Sequence, residues 1–264
     1  MEKLDKKTVI GLLIVAVVIV VGIVCLALFN SKGTAATEEE LAAATKAYED
    51  YVFSMTFGYA SSFGGTDKLY EKDSYTYDTL HRNVILNVAA RYASSNLNNA
   101  ISKSKMSLLR SKYNYDSGKY SAFDGDAMKQ AVKILFGKEL EHGSGINDDT
   151  FGYNFDYIPE IDIYLRSKSK SYFPSDGLHI VDYKTIKATR KDNNVTLTIA
   201  IAYTHTINDK IAYTNDVKSG KAIYETTKED KGIKEDKIDE FPQYEVTFAI
   251  DEENNYVFQS IEKK

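Results

Sequence analysis

Cysteine, tryptophan and proline are scarce in this chain. One cysteine, no tryptophan and three prolines occur in 264 residues. A single cysteine excludes a disulfide scaffold and a cysteine-ligated zinc finger, because both need several cysteines at short spacing. The 33 basic residues are outnumbered by 38 acidic residues, which argues against nucleic acid as a partner. Because 43% of the residues are hydrophobic, the chain is not a disordered tail.

The strongest positive signal is an apolar run near the N-terminus. Residues 9–29 carry no charged and no strongly polar side chain. About 20 helical residues span roughly 30 Å, the thickness of a bilayer's hydrocarbon core. Residues 8–29 are therefore predicted to cross the lipid bilayer as one transmembrane helix. Lys3, Lys6 and Lys7 precede it, which predicts a cytoplasmic tail at residues 1–7 and a C-terminal domain outside the cell membrane.

Two alternatives to an uncleaved signal anchor stay open. A cleaved signal peptide has an apolar core of about 7–15 residues, shorter than this run, although Ala35 and Ala36 could serve as a cleavage site. A lipoprotein would be acylated at Cys25, but Val24 stands where such signals place a small residue. We favour the uncleaved single-pass anchor, in which Cys25 is an apolar residue of the membrane helix.

Helix signals are clearest in the first half of the exterior part. Residues 37–40 match a capping box at the start of a first helix. A second helix is expected to begin near residues 74–78. A third is expected between Asp124 as N-cap and Gly137 as C-cap.

Farther along, the apolar period changes to two, which predicts β-strands. An aromatic strand at residues 151–157 is followed by a return strand at residues 161–165. A turn at residues 191–194 joins two long strands. The last hairpin pairs residues 244–250 with residues 256–261.

Helices followed by antiparallel hairpins predict an α+β fold. After a linker at residues 30–36, the extracytoplasmic domain is expected to fill residues 37–264, a size that can bury a core without disulfides. Its helical part, about residues 37–140, should pack on a curved antiparallel sheet from about residues 150–264. Residues 94–115 show no steady period and stay unassigned. The highly charged residues 228–240 are predicted to form a solvated, mobile excursion.

Catalytic and metal-binding motifs are weak. Ser-x-x-Lys occurs at residues 102–105 and 167–170, but the companion motifs of penicillin-binding proteins are missing, so we interpret both as polar surface. The four histidines lack the spacing of a zinc site, and Asp124 and Asp126 lack the EF-hand pattern. No catalytic residue, metal site or cofactor is assigned, and no motif supports an enzyme.

A small-ligand site is possible on the strands. His205 falls on the apolar face of its predicted strand beside Tyr203, where a half-buried histidine can bind a ligand or act as an acid or base. A core histidine with satisfied hydrogen bonds is the commoner outcome. Tyr153 and Phe155 lie on the aromatic strand face. These four side chains are the predicted lining of a pocket between the helices and the sheet.

The closing hairpin carries a family resemblance. Its strands, YEVTF at residues 244–248 and NYVFQSIEK at residues 255–263, resemble the last hairpin of nuclear-transport-factor-2-like or cystatin-like domains in Gram-positive surface proteins. The resemblance covers about residues 120–264. It implies N-terminal helices on curved hairpins, and a single-pass scaffold, such as those of conjugation machines, that works by assembling with partners. It assigns no active residue.

Together these features favour a membrane-anchored extracytoplasmic binding or scaffold protein of a bacterial cell envelope. Its partner is expected to be another protein or an envelope component. The alternatives are a small-ligand pocket and, third, a hydrolase that uses His205 or a serine. An open cavity at His205 would favour the ligand pocket, whereas a sheet face packed by apolar side chains would favour the scaffold.

Overall fold

The computed structural model describes the following residues of the chain: 33–53, 74–146, 153–167, 180–207, 209–215 and 221–264. The predicted tail and transmembrane helix at residues 1–29 lie outside the described residues, and so does Phe151 of the predicted aromatic strand. Within the described ranges, no helix is both long enough and apolar enough to cross a bilayer.

The described residues form four α-helices and eleven β-strands. The helices are α1 Glu38–Ala47, α2 Arg82–Asn96, α3 Lys103–Tyr113 and α4 Gly125–Phe136. The strands are β1 Thr34–Ala35, β2 Ser74–Thr76, β3 Tyr120–Asp124, β4 Phe155–Ile158, β5 Ile163–Ser167, β6 Ile180–Lys191, β7 Asn194–Ile207, β8 Lys210–Thr214, β9 Tyr224–Thr226, β10 Gln243–Ile250 and β11 Tyr256–Lys263. A π-helical turn, Tyr48–Val52, extends α1, and two 3₁₀ turns lie at Tyr77–Thr79 and Glu235–Glu240.

Two antiparallel sheets organise the strands. The larger sheet has the order β1-β6-β7-β10-β11-β2, and the smaller has the order β3-β5-β4. Strand β7 changes its neighbour along its length, because residues 194–200 pair with β10 whereas residues 203–207 pair with β8, which in turn pairs with β9. Register shifts after Thr185 in β6 and after Thr247 in β10 curve this sheet. The α+β class, with helices and a curved antiparallel sheet, is confirmed.

Capping residues place the helix ends where the sequence predicts them. The Thr37 hydroxyl accepts a hydrogen bond from the Glu40 amide at 3.2 Å, and the Glu40 carboxylate accepts one from the Thr37 amide at 2.9 Å. This reciprocal pair satisfies two amides that the helix itself leaves open. The Asp124 carboxylate caps α4 by accepting a single hydrogen bond from the Asp126 amide at 3.1 Å. Gly137 ends α4 with a φ of 63°, which glycine adopts without strain.

The second helix differs from its prediction. It begins at Arg82, so the expected start near residues 74–78 is wrong. Residues 74–76 form β2 instead, because Tyr75 pairs with Ile261 at the edge of the larger sheet. This pairing with a distant strand outweighs local helix propensity. Two strands, β2 and β3, thus lie within the part of the chain where the sequence predicts helices, and β1 lies in the predicted linker at residues 30–36.

The region without a steady period also acquires regular structure. Helix α2 continues to Asn96, and α3 fills most of the rest. The Ser102 hydroxyl caps α3 by accepting a hydrogen bond from the Lys105 amide at 3.2 Å. The first Ser-x-x-Lys motif is therefore a helix cap, which agrees with its interpretation as surface.

The predicted hairpins are confirmed among the described residues. Strands β6 and β7 meet at a turn in which Asp192 has a φ of 53°. Strands β10 and β11 meet at a turn where the Asp251 carboxylate accepts hydrogen bonds from the amides of Glu253 and Asn255, at 2.9 and 2.8 Å. Aspartate side chains commonly organise turns by such local bonds.

The main hydrophobic core fills the space between the larger sheet and the helices. Alternate residues of β7, among them Leu197 and Ile199, meet Tyr48 of the π-helical turn, Met128 of α4 and Phe248 of β10 in one cluster. All five side chains have no exposed surface. This face of the sheet is packed by apolar side chains, as the alternation along β7 predicts.

The charged residues 228–240 cover the opposite face of the larger sheet. Ile233 and Phe241 are only 5% and 4% exposed and pack on Ala200 and Ala202 of β7. The Gly232 amide donates a hydrogen bond to the Tyr213 hydroxyl at 2.6 Å. The prediction that this segment is an excursion from the sheet is wrong, because widely spaced apolar residues between the charges pack it on the sheet. Its charged side chains, apart from half-buried Lys237, are exposed to solvent as predicted.

Phe241→Ala is expected to lower the free energy of unfolding by about 3 kcal/mol, because it leaves a cavity beneath this covering segment. The matched exposed change Lys231→Ala in the same segment should cost less than about 0.5 kcal/mol. Urea unfolding of the full chain in a neutral detergent measures both. Equal, small effects would show that the segment is not bound to the sheet.

Candidate functional site

Three of the four predicted ligand-binding residues lie in the main core. Tyr153, Phe155 and Tyr203 are 8%, 1% and 4% exposed, and the rings of Tyr153 and Phe155 meet edge to face at 6.0 Å. His205 is half-buried on β7, where it lies opposite Ala212 of β8. Side chains buried to this degree stabilise the fold by packing. The pocket that these four residues were expected to line stays a prediction.

A different group of polar side chains comes together at the smaller sheet. We call it the His142 cluster, and it consists of His142, Tyr157, Asp162 and Tyr164. His142 lies beyond the end of α4, Tyr157 on β4, Asp162 in the β4–β5 turn, and Tyr164 on β5. The fold thus gathers four chemically versatile groups from separate elements.

The geometry of the His142 cluster is tight. The His142 ring stacks on the Tyr157 ring at 4.6 Å with an interplanar angle of 4°. Its Nδ1 lies 3.0 Å from the Tyr164 hydroxyl, and its Nε2 lies 3.6 Å from Asp162 Oδ1. The Tyr157 hydroxyl donates a hydrogen bond to the same Asp162 oxygen at 2.9 Å. One carboxylate oxygen therefore faces both the imidazole and a phenol.

Gly125 makes room for the Asp162 carboxylate. Asp162 has a φ of 50°, in the left-handed region that aspartate tolerates in turns. The Gly125 amide donates a hydrogen bond to the Asp162 carbonyl at 3.0 Å. A Cβ atom at residue 125 would lie 1.8 Å from Asp162 Oδ1. Only glycine permits this approach between the first turn of α4 and the β4–β5 turn.

Helix α2 fixes the segment that carries His142. The Arg82 guanidinium donates hydrogen bonds to the carbonyls of Glu141, Gly143 and Ser144, at 2.8, 3.0 and 2.9 Å. The buried Asn83 side chain exchanges two hydrogen bonds with the Ile146 backbone, at 2.8 and 2.9 Å. These bonds replace regular secondary structure for the segment. They hold the imidazole against Tyr157.

The environment of the cluster disfavours charge on His142 and Tyr157. Burial lowers the pKa of His142, and the positive charge of Lys129 lowers it further, while Asp162 opposes both. Burial and the hydrogen bond to Asp162 raise the pKa of Tyr157 to about 12. At neutral pH the cluster therefore holds a neutral imidazole and a protonated phenol.

The cluster can exchange a proton or bind a small polar group, but its partners constrain the chemistry. The side chains of His142 and Asp162 keep 19% and 28% of their surface exposed, so a small molecule can reach them. Both imidazole nitrogens already face groups of the cluster, Tyr164 and Asp162. A substrate that used His142 as a base would have to displace one of them.

Other candidate chemistry has a structural role among the described residues. The Lys105 ammonium forms an ion pair with the Asp124 carboxylate at 2.8 Å, so the first Ser-x-x-Lys motif holds helix ends together. In the second motif, Ser167 accepts a hydrogen bond from the Asn154 amide at 2.8 Å, and Lys170 lies outside the described residues. No group of three or more His, Cys, Asp or Glu side chains in the described part could hold a metal ion.

The sequence analysis missed the His142 cluster because its members share no motif. Tyr157 is visible only as one of several alternating aromatic residues, and His142 follows a helix end without any regular pattern. The Asp-Gly-Asp run at residues 124–126 was weighed for calcium, whereas its glycine serves as a close-packing position. A search for small residues at helix starts could have singled out Gly125.

Comparisons with known proteins leave the function to be argued from this chain alone. No protein-family model, no curated protein and no solved structure matches it. The likeness of the last hairpin to nuclear-transport-factor-2-like or cystatin-like domains therefore stays a prediction.

The lowered pKa of His142 should make stability depend on pH. The pKa of His142 is lower in the folded chain than its ordinary value of 6.5. At a pH between these two values, the unfolded chain binds more protons at His142 than the folded chain does. The contribution of His142 to stability is therefore present above pH 6.5 and is lost as the pH falls below it. His142→Gln should lose less stability over this window than the wild type, as measured by urea unfolding at several pH values.

Nuclear magnetic resonance titration of the four histidines checks the cause independently. The pKa of His142 should lie below 6.5, and Lys129→Gln should raise it by removing a like charge. A pKa at or above 6.5 would contradict the assignment.

Gly125→Ala is expected to cost about 1–3 kcal/mol of unfolding free energy, because the new methyl group overlaps the Asp162 carboxylate. It should also shift the His142 resonances. Gly118→Ala is the matched control, since its new methyl group meets only the exposed Asp116 carboxylate. If both variants unfold alike and leave the His142 resonances in place, Gly125 does not position the cluster.

Proposed function

We propose that this protein is a membrane-anchored extracytoplasmic binding or scaffold protein of a bacterial cell envelope. The apolar residues 9–29 are long enough to span a bilayer, and the lysines before them favour a cytoplasmic N-terminus. In this proposal, residues 8–29 are the single transmembrane helix and the α+β domain lies outside. Its partner is another protein or an envelope component.

The observation that carries the proposal is the small number of residues between the apolar run and the start of the folded domain. Strand β1 pairs with β6 through Thr34 opposite Arg190 and Ala35 opposite Thr189. A Cβ atom on Gly33 would lie 2.6 Å from the Arg190 carbonyl oxygen, so glycine permits the close approach. Only residues 30–32 separate the apolar run from this paired backbone.

An ion pair strengthens the same junction. The Arg190 guanidinium lies 2.6 Å from the Glu40 carboxylate, and both side chains are largely shielded, at 28% and 23% exposure. Partial burial makes such a pair less sensitive to salt than a surface pair. The chain is thus bound to the larger sheet from Gly33 into α1. A short, fixed junction restricts how a domain can tilt, which supports a scaffold that presents one constant face to its partner.

The junction also indicates which end of the domain would face the membrane. Strand β1 lies beside the β6–β7 turn, and the Ile250 amide joins that turn to the β10–β11 turn by donating to the Asn193 carbonyl at 2.7 Å. Asp251, Glu252 and Glu253 make the second turn acidic. Acidic groups are repelled by anionic lipid headgroups, so this turn is not expected to bind them.

Side chains of the protein pack on both faces of the larger sheet, which supports binding of a partner at the outer surface of the domain. The helix side is filled by residues such as Ile199 and Phe248, and the other side is covered by Ile233 and Phe241. A partner would therefore meet loops, helices and edges.

A small-ligand site at the His142 cluster is the second candidate function. It is favoured by the exposed fractions of His142 and Asp162, 19% and 28%, in an otherwise packed region. Ligand-dependent thermal stabilisation that His142→Gln abolishes would support it. A hydrolase is the third candidate and needs a nucleophile in contact with a base.

Cysteine labelling of intact cells tests the orientation. In a Cys25→Ala background, Glu253→Cys should react with a membrane-impermeant maleimide, whereas Lys3→Cys should react only after the cells are permeabilised. Both labelled forms should keep the full length of the chain. Release of a shortened chain into the medium would contradict the uncleaved anchor, and labelling of residue 3 on intact cells would contradict the orientation.

A further inference from the structure

We propose that helix α3 forms a docking groove for an acidic protein segment that carries an apolar side chain. The inference rests on the proposed binding function and names the chemistry of its partner. The groove is a shallow depression, largely open to solvent, with a volume of about 590 Å³. Its lining residues are Ile101, Lys103, Met106, Ser107, Arg110 and Ser111.

Helical spacing explains why these side chains share one surface. Lys103, Ser107 and Arg110 stand at positions i, i+4 and i+7, and Met106 and Ser111 widen the same stripe. The described residues that line the groove come from α3 and the segment just before it. No carboxylate is among these described residues, so none of them neutralises the two positive charges.

The surrounding chain is basic in a protein that is acidic as a whole. Residues 79–115 contain six basic residues and no acidic one, although the chain has a formal net charge of −5. Several of these bases have partners: Arg82 binds backbone carbonyls, Lys105 binds Asp124, and Lys112 lies 3.9 Å from Glu160.

Lys103 and Arg110 differ from those three. Both are exposed, and neither forms an ion pair with any residue that the structure describes. Their charges are therefore available to carboxylates of another molecule. Arginine can bind a carboxylate through two parallel hydrogen bonds, which adds directional preference to the attraction.

The opposite side of α3 is fixed to the smaller sheet. Leu109 has no exposed surface and packs with Ile158, Ile161, Ile163 and Leu165. Together with the Lys105–Asp124 ion pair, this packing holds the groove in place before any partner arrives. A preformed surface loses little conformational entropy on binding.

Accessible apolar side chains favour a protein partner over a simple polyanion. Ile101 and Met106 are half-buried in the groove. Leu108, three residues before the lining residue Ser111 on the same helix, is 46% exposed. Among the large hydrophobic side chains of the described residues, only Leu108 and Ile146 are exposed to this degree. A polyanion would gain nothing from this apolar surface, whereas a peptide can cover it. Arginine and methionine are also enriched at protein interfaces.

The test uses the full chain in a neutral detergent and a fluorescein-labelled peptide of Glu-Glu-Leu repeats. The peptide should bind, and raising the salt from about 0.05 M to 0.5 M should weaken its binding. Lys103→Gln combined with Arg110→Gln should weaken binding about tenfold, and Leu108→Ser about threefold. Fluorescence anisotropy measures each affinity.

Lys133→Gln combined with Lys138→Gln removes the same charge from exposed positions on and just after α4, and should change the affinity less than about twofold. Thermal unfolding confirms that each variant is folded. An equal loss of affinity in this control would mean that the peptide binds by diffuse charge attraction, which would overturn the proposal. Binding of a Glu-Glu-Ser peptide or of polyphosphate as tight as that of the Glu-Glu-Leu peptide would overturn it in favour of a polyanion site.

Self-association of the full chain that the Lys103 and Arg110 changes abolish would identify a second copy as the occupant and also overturn the proposal. The result is separable from the proposed function, because cysteine labelling on cells tests the anchor without reference to the groove. A chain with the expected orientation and no peptide binding would reject the groove alone.

Discussion

The pairing of β7 with its neighbours is the constraint on which the rest of the structure depends. Its 14 residues pair with β6 along most of their length, with β10 in the first half and with β8 in the second. Odd-numbered positions such as Leu197 and Ile199 face the helices, whereas the intervening Ala200 and Ala202 face the covering segment. Because side chains alternate along a strand, one register fixes both cores at once. A slip by one residue would exchange the two faces.

The two faces of β7 carry side chains of different size, and this difference determines how closely other segments approach each face. The large apolar side chains on one face pack against the helices α1, α2 and α4. The alanines on the other face are short, so the segment around Ile233 can approach the sheet closely. The smaller sheet joins the main core through Phe123, Phe155 and Tyr164, and its β4–β5 turn meets α4 at Gly125. That contact brings Asp162 to His142, and α3 packs on the same small sheet. The candidate site and the basic groove are therefore both attached to the smaller sheet rather than to the larger one.

Local signals predicted most of the elements with a short sequence signature. The capping box at Thr37, the caps of α4 and the turns at Asp192 and Asp251 all depend on contacts within a few residues, so they are visible in the sequence. The position of β2 and the attachment of residues 228–240 were wrong, because both depend on partners far away in the chain. The His142 cluster was missed for the same reason. Its residues are brought together by hairpin register and by a glycine contact, neither of which leaves a motif.

The amino-acid sequence alone was sufficient for the α+β class, the hairpins, the caps of α1 and α4, and the apolar face of β7. These features follow from periodicity and from bonds between near neighbours. Three further features depend on contacts between distant segments: the junction of β1 with β6, the burial of the charged segment, and the exposure of Lys103 and Arg110 beside a packed Leu109. Burial and ion pairing are properties of neighbours in space, and a linear pattern does not specify those neighbours. Tertiary packing therefore decided which charged and aromatic residues became structural and which remain accessible to a partner.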